Sequence, residues 1–81
     1  MDIEGEIADY LIRDRGISPA DLPASQDPLW ERGLLDSLSM VELISFLENR
    51  FGIVLGEEDV VPEHFASLAT LAALVSSKLR A

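Results

Sequence analysis

One serine stands where a reactive hydroxyl group would be accessible. Residues 34–43 read LLDSLSMVEL, so Ser37 follows Asp36 where an irregular segment gives way to a regular helical pattern. Serine at such a junction is commonly an N-cap, with its hydroxyl bonded to a backbone N–H. The position also suits a phosphate ester, because unpaired N–H groups and the positive end of the helix dipole favour an anion. The residues alone leave both roles open.

A serine hydrolase is a third possibility, because the chain has one histidine, His64, that would serve as a base for Ser37. Such a site also needs an oxyanion hole and a cleft. No G-x-S-x-G turn surrounds Ser37, and 81 residues leave little room for a cleft of ordinary size. We therefore expect that the protein is not an enzyme and that His64 lies on the surface or on a half-buried turn.

The acidic residues between positions 57 and 63 form the other chemical cluster. Glu57, Glu58, Asp59 and Glu63 are carboxylates that attract divalent cations, but they lack the spacing of an EF-hand loop. The chain has no cysteine, so no thiolate is available as a metal ligand. We expect a solvated acidic turn and no metal site.

The composition narrows the range of partners. The chain carries 15 acidic and 6 basic residues, for a net charge of -9. A nucleic-acid-binding protein needs a basic face, so that function is excluded. An acidic surface suits basic patches on protein partners. With 48% hydrophobic residues in 81 positions, we expect one folded domain spanning residues 1–81.

The N-terminal sequence gives no targeting signal. MDIEGEIADY has neither the basic segment nor the apolar segment of a secretory signal. No apolar run approaches the roughly 18 residues needed to cross a bilayer. These features predict a cytoplasmic, soluble protein without a membrane span, and we expect a monomer.

Apolar spacing predicts an all-α fold. Helical patterns cover residues 3–15, 37–51 and 67–80, and Pro62 is suited to begin a short helix over 62–65. The segment 17–35 contains three prolines and is predicted to be a long loop. No alternating strand pattern occurs. The prediction is a small four-helix bundle with three main helices, a short third helix and a long loop between helices one and two.

The helix predicted over residues 37–51 has two distinct faces. At about 100° per residue, one face is an apolar stripe that should be buried. It consists of Met40, Leu43, Ile44, Leu47 and Phe51. Leu38 and Glu42 fall on the opposite, outward face, with Val41 and Glu48 on its flank. An exposed apolar residue near the start of an acidic helix suits contact with a protein partner.

Together these features resemble the acyl carrier and peptidyl carrier proteins. GLLDSL at 33–38 is similar to their phosphopantetheine attachment motif, and VEL at 41–43 matches the step that follows it. FGI at 51–53 and PEHF at 62–65 also resemble the family. The resemblance covers nearly the whole chain, including the four-helix layout, and implies an acyl-carrier-protein-like fold.

The resemblance implies a prosthetic group. A phosphopantetheinyl transferase would move 4′-phosphopantetheine from coenzyme A onto the Ser37 oxygen, and Asp36 would take part in transferase recognition. The thiol at the end of the arm would hold acyl or aminoacyl groups as thioesters, so a protein without cysteine uses a borrowed thiol. The implied partner-docking residues are Leu38, Val41, Glu42 and Glu48.

The resemblance also implies the other partners. These are an acyl- or aminoacyl-loading ligase or acyltransferase, and downstream enzymes of polyketide, nonribosomal peptide or related specialised metabolism. The GLLDSL form, with Ser39 where fatty-acid carriers commonly have an acid, is more similar to discrete carriers of specialised pathways. The alternative is an acidic helical interaction module in which Ser37 is only a helix cap.

Overall fold

The computed structural model describes residues 2–29 and 36–80. Within these ranges the chain forms helices α1 (Ile3–Arg13), α2 (Ser37–Phe51) and α3 (Leu68–Arg80), with a 3₁₀ helix at Pro19–Asp21 in the first long loop. No β-strand lies in the described ranges. The predicted all-α fold is confirmed.

Two short segments differ in detail from the prediction. The short helix expected from Pro62 is present as successive turns, in which the His64 N–H donates to the Val61 carbonyl at 3.1 Å and the Phe65 N–H to the Pro62 carbonyl at 3.1 Å. The 3₁₀ helix at Pro19–Asp21 was not predicted. Both begin at a proline, whose fixed φ angle suits the first position of a helical turn but does not determine how far that turn continues.

Local sequence signals mark the helix ends. The Asp2 carboxylate accepts the Gly5 N–H at 3.0 Å and caps α1. Gly52, with φ of +66°, ends α2 in the left-handed conformation that glycine adopts without a Cβ clash. Before α3, the Ser67 N–H donates to Thr70 Oγ1 at 3.0 Å and the Thr70 N–H to Ser67 Oγ at 3.3 Å. This reciprocal pair satisfies two N–H groups at the start of α3.

One apolar core lies between the helices and the two loops. Its buried residues are Ile7, Tyr10, Leu11, Leu29, Leu43, Leu47, Phe51, Ile53, Phe65, Leu68, Leu71, Leu74 and Val75. On α2, Leu43, Leu47 and Phe51 are buried and Met40 and Ile44 are half-buried. The apolar stripe predicted for this helix is therefore confirmed.

Side chains join α1 to α2 along much of their length. The rings of Tyr10 and Phe46 stack with centroids 4.3 Å apart. Glu6 and Arg50 form an ion pair at one end of this contact. At the other end, Arg15 Nη1 lies 2.6 Å from Glu42 Oε2. The contacts fix the outward face of α2 relative to α1.

The acidic turn after α2 differs from the prediction of full solvation. Glu57, Glu58 and Glu63 are exposed, but Asp59 is only 8% exposed. The Asp59 carboxylate accepts the Gly56 N–H at 3.0 Å and lies 2.6 Å from Lys78 Nζ on α3. A buried carboxylate needs such partners, and the pair attaches this turn to α3.

Residues 2–29 and 36–80 contain neither a cluster of metal-binding side chains nor a membrane-spanning helix. In this part of the chain, no three His, Asp or Glu side chains are grouped so that they could hold a metal ion. None of its helices has the length and apolar character required to span a membrane.

The apolar stripe gives a stability prediction. Leu47 has no exposed surface, so Leu47→Ala removes buried methyl groups and leaves a cavity in the core. We expect the free energy of unfolding to fall by about 2–5 kcal/mol. Urea denaturation followed by circular dichroism would measure it. Val54→Ala is the control, because Val54 is 78% exposed. Equal stability of the two variants would contradict this arrangement of α2.

Candidate functional site

At the start of α2, one residue caps the helix and the next residue carries an exposed hydroxyl group. Asp36 is the N-cap, with an extended backbone, and its Oδ1 accepts the Ser39 N–H at 2.8 Å. Ser37 is therefore the first helical residue, and it is exposed. The expectation that Ser37 occupies the first turn is confirmed, whereas its possible role as the cap is wrong. Gly33, Leu34 and Leu35 of the predicted motif lie outside the described residues.

The cap is an ionised carboxylate. Hydrogen bonds from the Ser39 backbone N–H, and then from the Ser39 side chain, hold the pKa of Asp36 below its ordinary value, and the charge of Arg15 acts in the same direction. A carboxylate at this position also interacts favourably with the positive end of the α2 dipole. Asp36 therefore caps α2 in its charged form at neutral pH.

Arg15 and Ser39 belong to the site, although neither was predicted. Ser39 is 7% exposed, and its Oγ accepts a hydrogen bond from Arg15 Nη2 at 2.7 Å. Arg15 Nη1 donates to Glu42 Oε2 at 2.6 Å. Ser39 and Ser37 point in different directions, because they are two residues apart in a helix. Nothing local indicated Arg15, which approaches from the end of α1.

The predicted docking residues do not all have the same surroundings. Leu38 is 67% exposed and Val41 is 61% exposed, and they lie one turn apart on α2. Glu42 is also exposed, beside them, while bound to Arg15. Glu48 is half-buried, and its Oε2 accepts the Leu55 N–H at 2.9 Å. Leu38, Val41 and Glu42 form what we call the outer surface of α2, whereas Glu48 fixes the loop after the helix.

An open groove borders this surface. Its volume is about 590 Å³, and it lies between α1 and α2. Tyr10 and Phe46 line it together with Val41 and Glu42. Apolar surface is therefore accessible beside the exposed part of α2.

His64 has a structural contact. It is half-buried, as predicted, and its Nδ1 lies 2.7 Å from the carbonyl oxygen of Asp59. Within the described residues, no hydrogen bond joins His64 to Ser37. The observed contact stabilises the turn before α3 and provides no base for the Ser37 hydroxyl.

The cap predicts a specific pH dependence of stability. The pKa of Asp36 is lowered in the folded state, so the charged cap contributes stability above the unfolded-state pKa of about 3.9, and this contribution is lost as the pH falls through the folded-state pKa. Asp36→Asn keeps a capping oxygen but does not titrate. We expect this variant to lose less stability on acidification than the wild type, measured by urea denaturation at several pH values.

Two further variants serve as controls. Asp36→Ala should lower stability at neutral pH, because it removes the cap, whereas Ser37→Ala should change it by less than about 0.5 kcal/mol. Equal acid sensitivity of the wild type and Asp36→Asn would contradict the role of the Asp36 carboxylate. A larger loss in Ser37→Ala than in Asp36→Ala would contradict the assignment of the cap.

Comparisons with known proteins show the family of this chain. Residues 6–75 match the family model described as the phosphopantetheine attachment site. The probable acyl carrier protein PigG of Serratia sp. is 33% identical over 51 residues, which are 63% of this chain. The match spans 59% of that relative's length.

A solved structure gives a second likeness. It is described as the crystal structure of an FAD-dependent dehydrogenase, and the matched chain is 37% identical with a TM-score of 0.70. The match covers 84% of this chain and 97% of that chain, so the two chains are similar in length.

The family model includes all of α2, residues 6–13 of α1 and residues 68–75 of α3, which together with the loops is most of the chain. The protein therefore belongs to the acyl carrier and peptidyl carrier protein family, whose prosthetic group is 4′-phosphopantetheine.

Proposed function

We propose that Ser37 Oγ is the attachment point of the phosphopantetheine arm. The observation that supports this most directly is that Asp36, and not Ser37, caps α2. Asp36 satisfies the Ser39 N–H, so the Ser37 hydroxyl is not required for capping and is exposed on the first turn of α2. A transferase can therefore reach it without breaking a hydrogen bond that stabilises the helix.

The residues present fit a phosphodiester at this position. Ser37 lies at the positive end of a 15-residue helix, which favours an added anion. In the attachment reaction, Ser37 Oγ forms a bond to the phosphorus next to the pantetheine part of coenzyme A. The phosphoanhydride bond breaks, adenosine 3′,5′-bisphosphate leaves, and a base of the transferase takes the hydroxyl proton.

The arm supplies a thiol that this chain lacks, since the sequence has no cysteine. We propose that this thiol holds acyl or aminoacyl intermediates as thioesters. In this function, residues 1–81 act as a single carrier domain that delivers the intermediate and catalyses no reaction. The cytoplasmic location and the monomeric state remain predictions from the sequence.

The proposed partners act in sequence. A phosphopantetheinyl transferase attaches the arm, and a ligase or acyltransferase loads it with an acyl or aminoacyl group. Enzymes of polyketide, nonribosomal peptide or related metabolism then act on the carried group. The likeness to a chain in the FAD-dependent dehydrogenase structure supports a dehydrogenase as one of these partner enzymes. A dehydrogenase of this class would remove two electrons and two protons from the carried group, with FAD as the electron acceptor.

The outer surface of α2 is the proposed docking site for these enzymes. Leu38 and Val41 are large apolar residues exposed within about one turn of Ser37, and Glu42 adds a charged group beside them. Apolar residues beside an acidic one suit a partner that offers an apolar contact and a basic side chain. Asp36 is within reach of the same partner, which supports its predicted role in transferase recognition.

The alternative function, an interaction module in which Ser37 is only a cap, loses its main support. That role for Ser37 requires its hydroxyl to satisfy an N–H group of the first turn. The Asp36 carboxylate does so instead. The exposed surface of α2 then remains a docking surface, with the carrier function at its N-terminal end.

The attachment site can be tested by mass spectrometry. The purified protein is incubated with coenzyme A, Mg²⁺ and a broad-specificity phosphopantetheinyl transferase. We expect a mass gain of one phosphopantetheine group in the wild type and none in Ser37→Ala. Ser45→Ala is the matched control, because Ser45 is an exposed serine on the same helix. No gain in the wild type, or an equal gain in Ser37→Ala, would overturn the proposal.

The docking surface can be tested through the kinetics of the same reaction. Val41→Asp places a charge in the apolar part of the outer surface, so we expect a higher KM for the carrier and an almost unchanged kcat. Val54→Asp makes the same chemical change at a residue that is 78% exposed but lies in the loop after α2. An equal rise in KM for the two variants would contradict docking at Val41.

A further inference from the structure

The turn that follows α1 fixes the backbone position of Arg15. Gly16 adopts a left-handed conformation with φ of +70°. The Ile17 N–H then donates to the Leu11 carbonyl at 3.1 Å, which closes the chain back onto the last turns of the helix. Leu11 is buried in the core. The backbone of Arg15 is therefore fixed just before a rigid turn, with its side chain 28% exposed.

The guanidinium group of Arg15 contacts α2 at two points. Nη2 donates to Ser39 Oγ at 2.7 Å, and Nη1 donates to Glu42 Oε2 at 2.6 Å. Residues three apart in a helix lie on the same face, about one turn apart. A planar group with two separate donors thus restrains both the rotation of α2 about its axis and its position along that axis.

This restraint determines the direction of the Ser37 side chain. Each residue of an α-helix advances by about 100°, so Ser37 and Ser39 point in nearly opposite directions. Ser39 is buried, and its backbone N–H is also bound, to Asp36 Oδ1 at 2.8 Å. While Arg15 and Asp36 hold Ser39 inward, Ser37 must face outward.

We propose that Arg15 is a positioning residue for attachment of the prosthetic arm. Through its contacts with Ser39 and Glu42, it holds the first turn of α2 in the orientation that presents the Ser37 hydroxyl to the transferase. The inference rests on the proposed attachment at Ser37. Arg15 is then part of the site without touching the reacting atoms.

The far end of the same helix pair provides a matched control. Arg50 on α2 forms an ion pair with Glu6 on α1. Arg50→Ala therefore removes an arginine and an ion pair that involves α2, as Arg15→Ala does in the turn after α1, and changes the net charge by the same amount. It differs in position, because Arg50 is in the last turn of α2 and Ser37 is in the first.

The experiment measures steady-state arm transfer with a broad-specificity transferase and coenzyme A, at varied concentrations of the carrier. We expect Arg15→Ala to lower kcat about tenfold with KM within about twofold of the wild-type value, because docked molecules present Ser37 correctly less often. Arg50→Ala should keep both constants within about twofold of wild type. Arg15→Lys should recover only part of kcat, because an ammonium group lacks the two separated donors.

A second measurement reports on the restraint itself. Amide hydrogen exchange of Ser39 and Met40 should be faster in Arg15→Ala than in Arg50→Ala, since only the first variant frees the first turn. The Ser39→Ala and Arg15→Ala changes should also be non-additive in kcat, because each breaks the same contact.

The outcomes separate this inference from the function on which it rests. A wild-type protein that takes no arm overturns the proposed function, and the inference with it. A wild type that is loaded normally, with kcat in Arg15→Ala no lower than in Arg50→Ala, overturns the inference alone. A loss confined to KM in Arg15→Ala also overturns it, because Arg15 would then be a docking contact.

Discussion

The hydrogen bond from the Ser39 N–H to the Asp36 carboxylate determines how the first turn of α2 can be used. A helix begins with unpaired N–H groups, and some residue must satisfy them. If Ser37 did so, its oxygen would be occupied by the backbone and chemical modification would compete with the fold. Because Asp36 takes this role in its charged form, the neighbouring hydroxyl remains exposed, and capping of the helix does not require it.

The polar contacts that join α2 to α1 and to the turn after it determine the orientation of α2 more than its stability. Ion pairs at the surface typically contribute less than about 1 kcal/mol each, so those of Arg15 and Arg50 add little to stability. The buried stripe of α2 supplies most of the energy that holds the helix in the bundle, since each fully buried Leu contributes about 1.5–3 kcal/mol. Apolar packing is less specific about rotation than directional hydrogen bonds. The polar contacts of Arg15 therefore add orientation to a helix that the core already holds.

The sequence predicted the features that depend on near neighbours. The stripe of Leu43, Leu47 and Phe51 followed from helical periodicity, and the exposure of Leu38 followed from the same wheel. The choice between Asp36 and Ser37 as the cap could not be made in this way, because both residue types are good caps and the two positions differ by one residue. Only the backbone conformation, extended at Asp36 and helical at Ser37, distinguishes them.

Contacts between distant parts of the chain were not predictable. Arg15 contacts Ser39, which is 24 positions away in the sequence. Lys78 on α3 contacts Asp59, which lies in the irregular segment between α2 and α3. In the sequence, these residues look like ordinary surface charges. Asp59 shows the consequence most clearly, since a cluster expected to be solvated contains one buried carboxylate that attaches the turn to α3.

The difference between features set by neighbouring residues and features set by distant contacts explains why the carrier class is recognised from the sequence and the cargo is not. The features that define a carrier lie close together, in an exposed serine, its aspartate cap and the apolar residues within about one turn. A cargo held at the end of a flexible arm needs few contacts with the domain, so few side chains have to encode it. In the proposed function, specificity for a pathway depends on which enzymes can dock on Leu38, Val41 and Glu42. On this view, a change at Arg15 would alter how Ser37 is presented during arm transfer, whereas a change at Leu38 or Val41 would alter which enzymes bind, so two functions of one helix depend on different side chains.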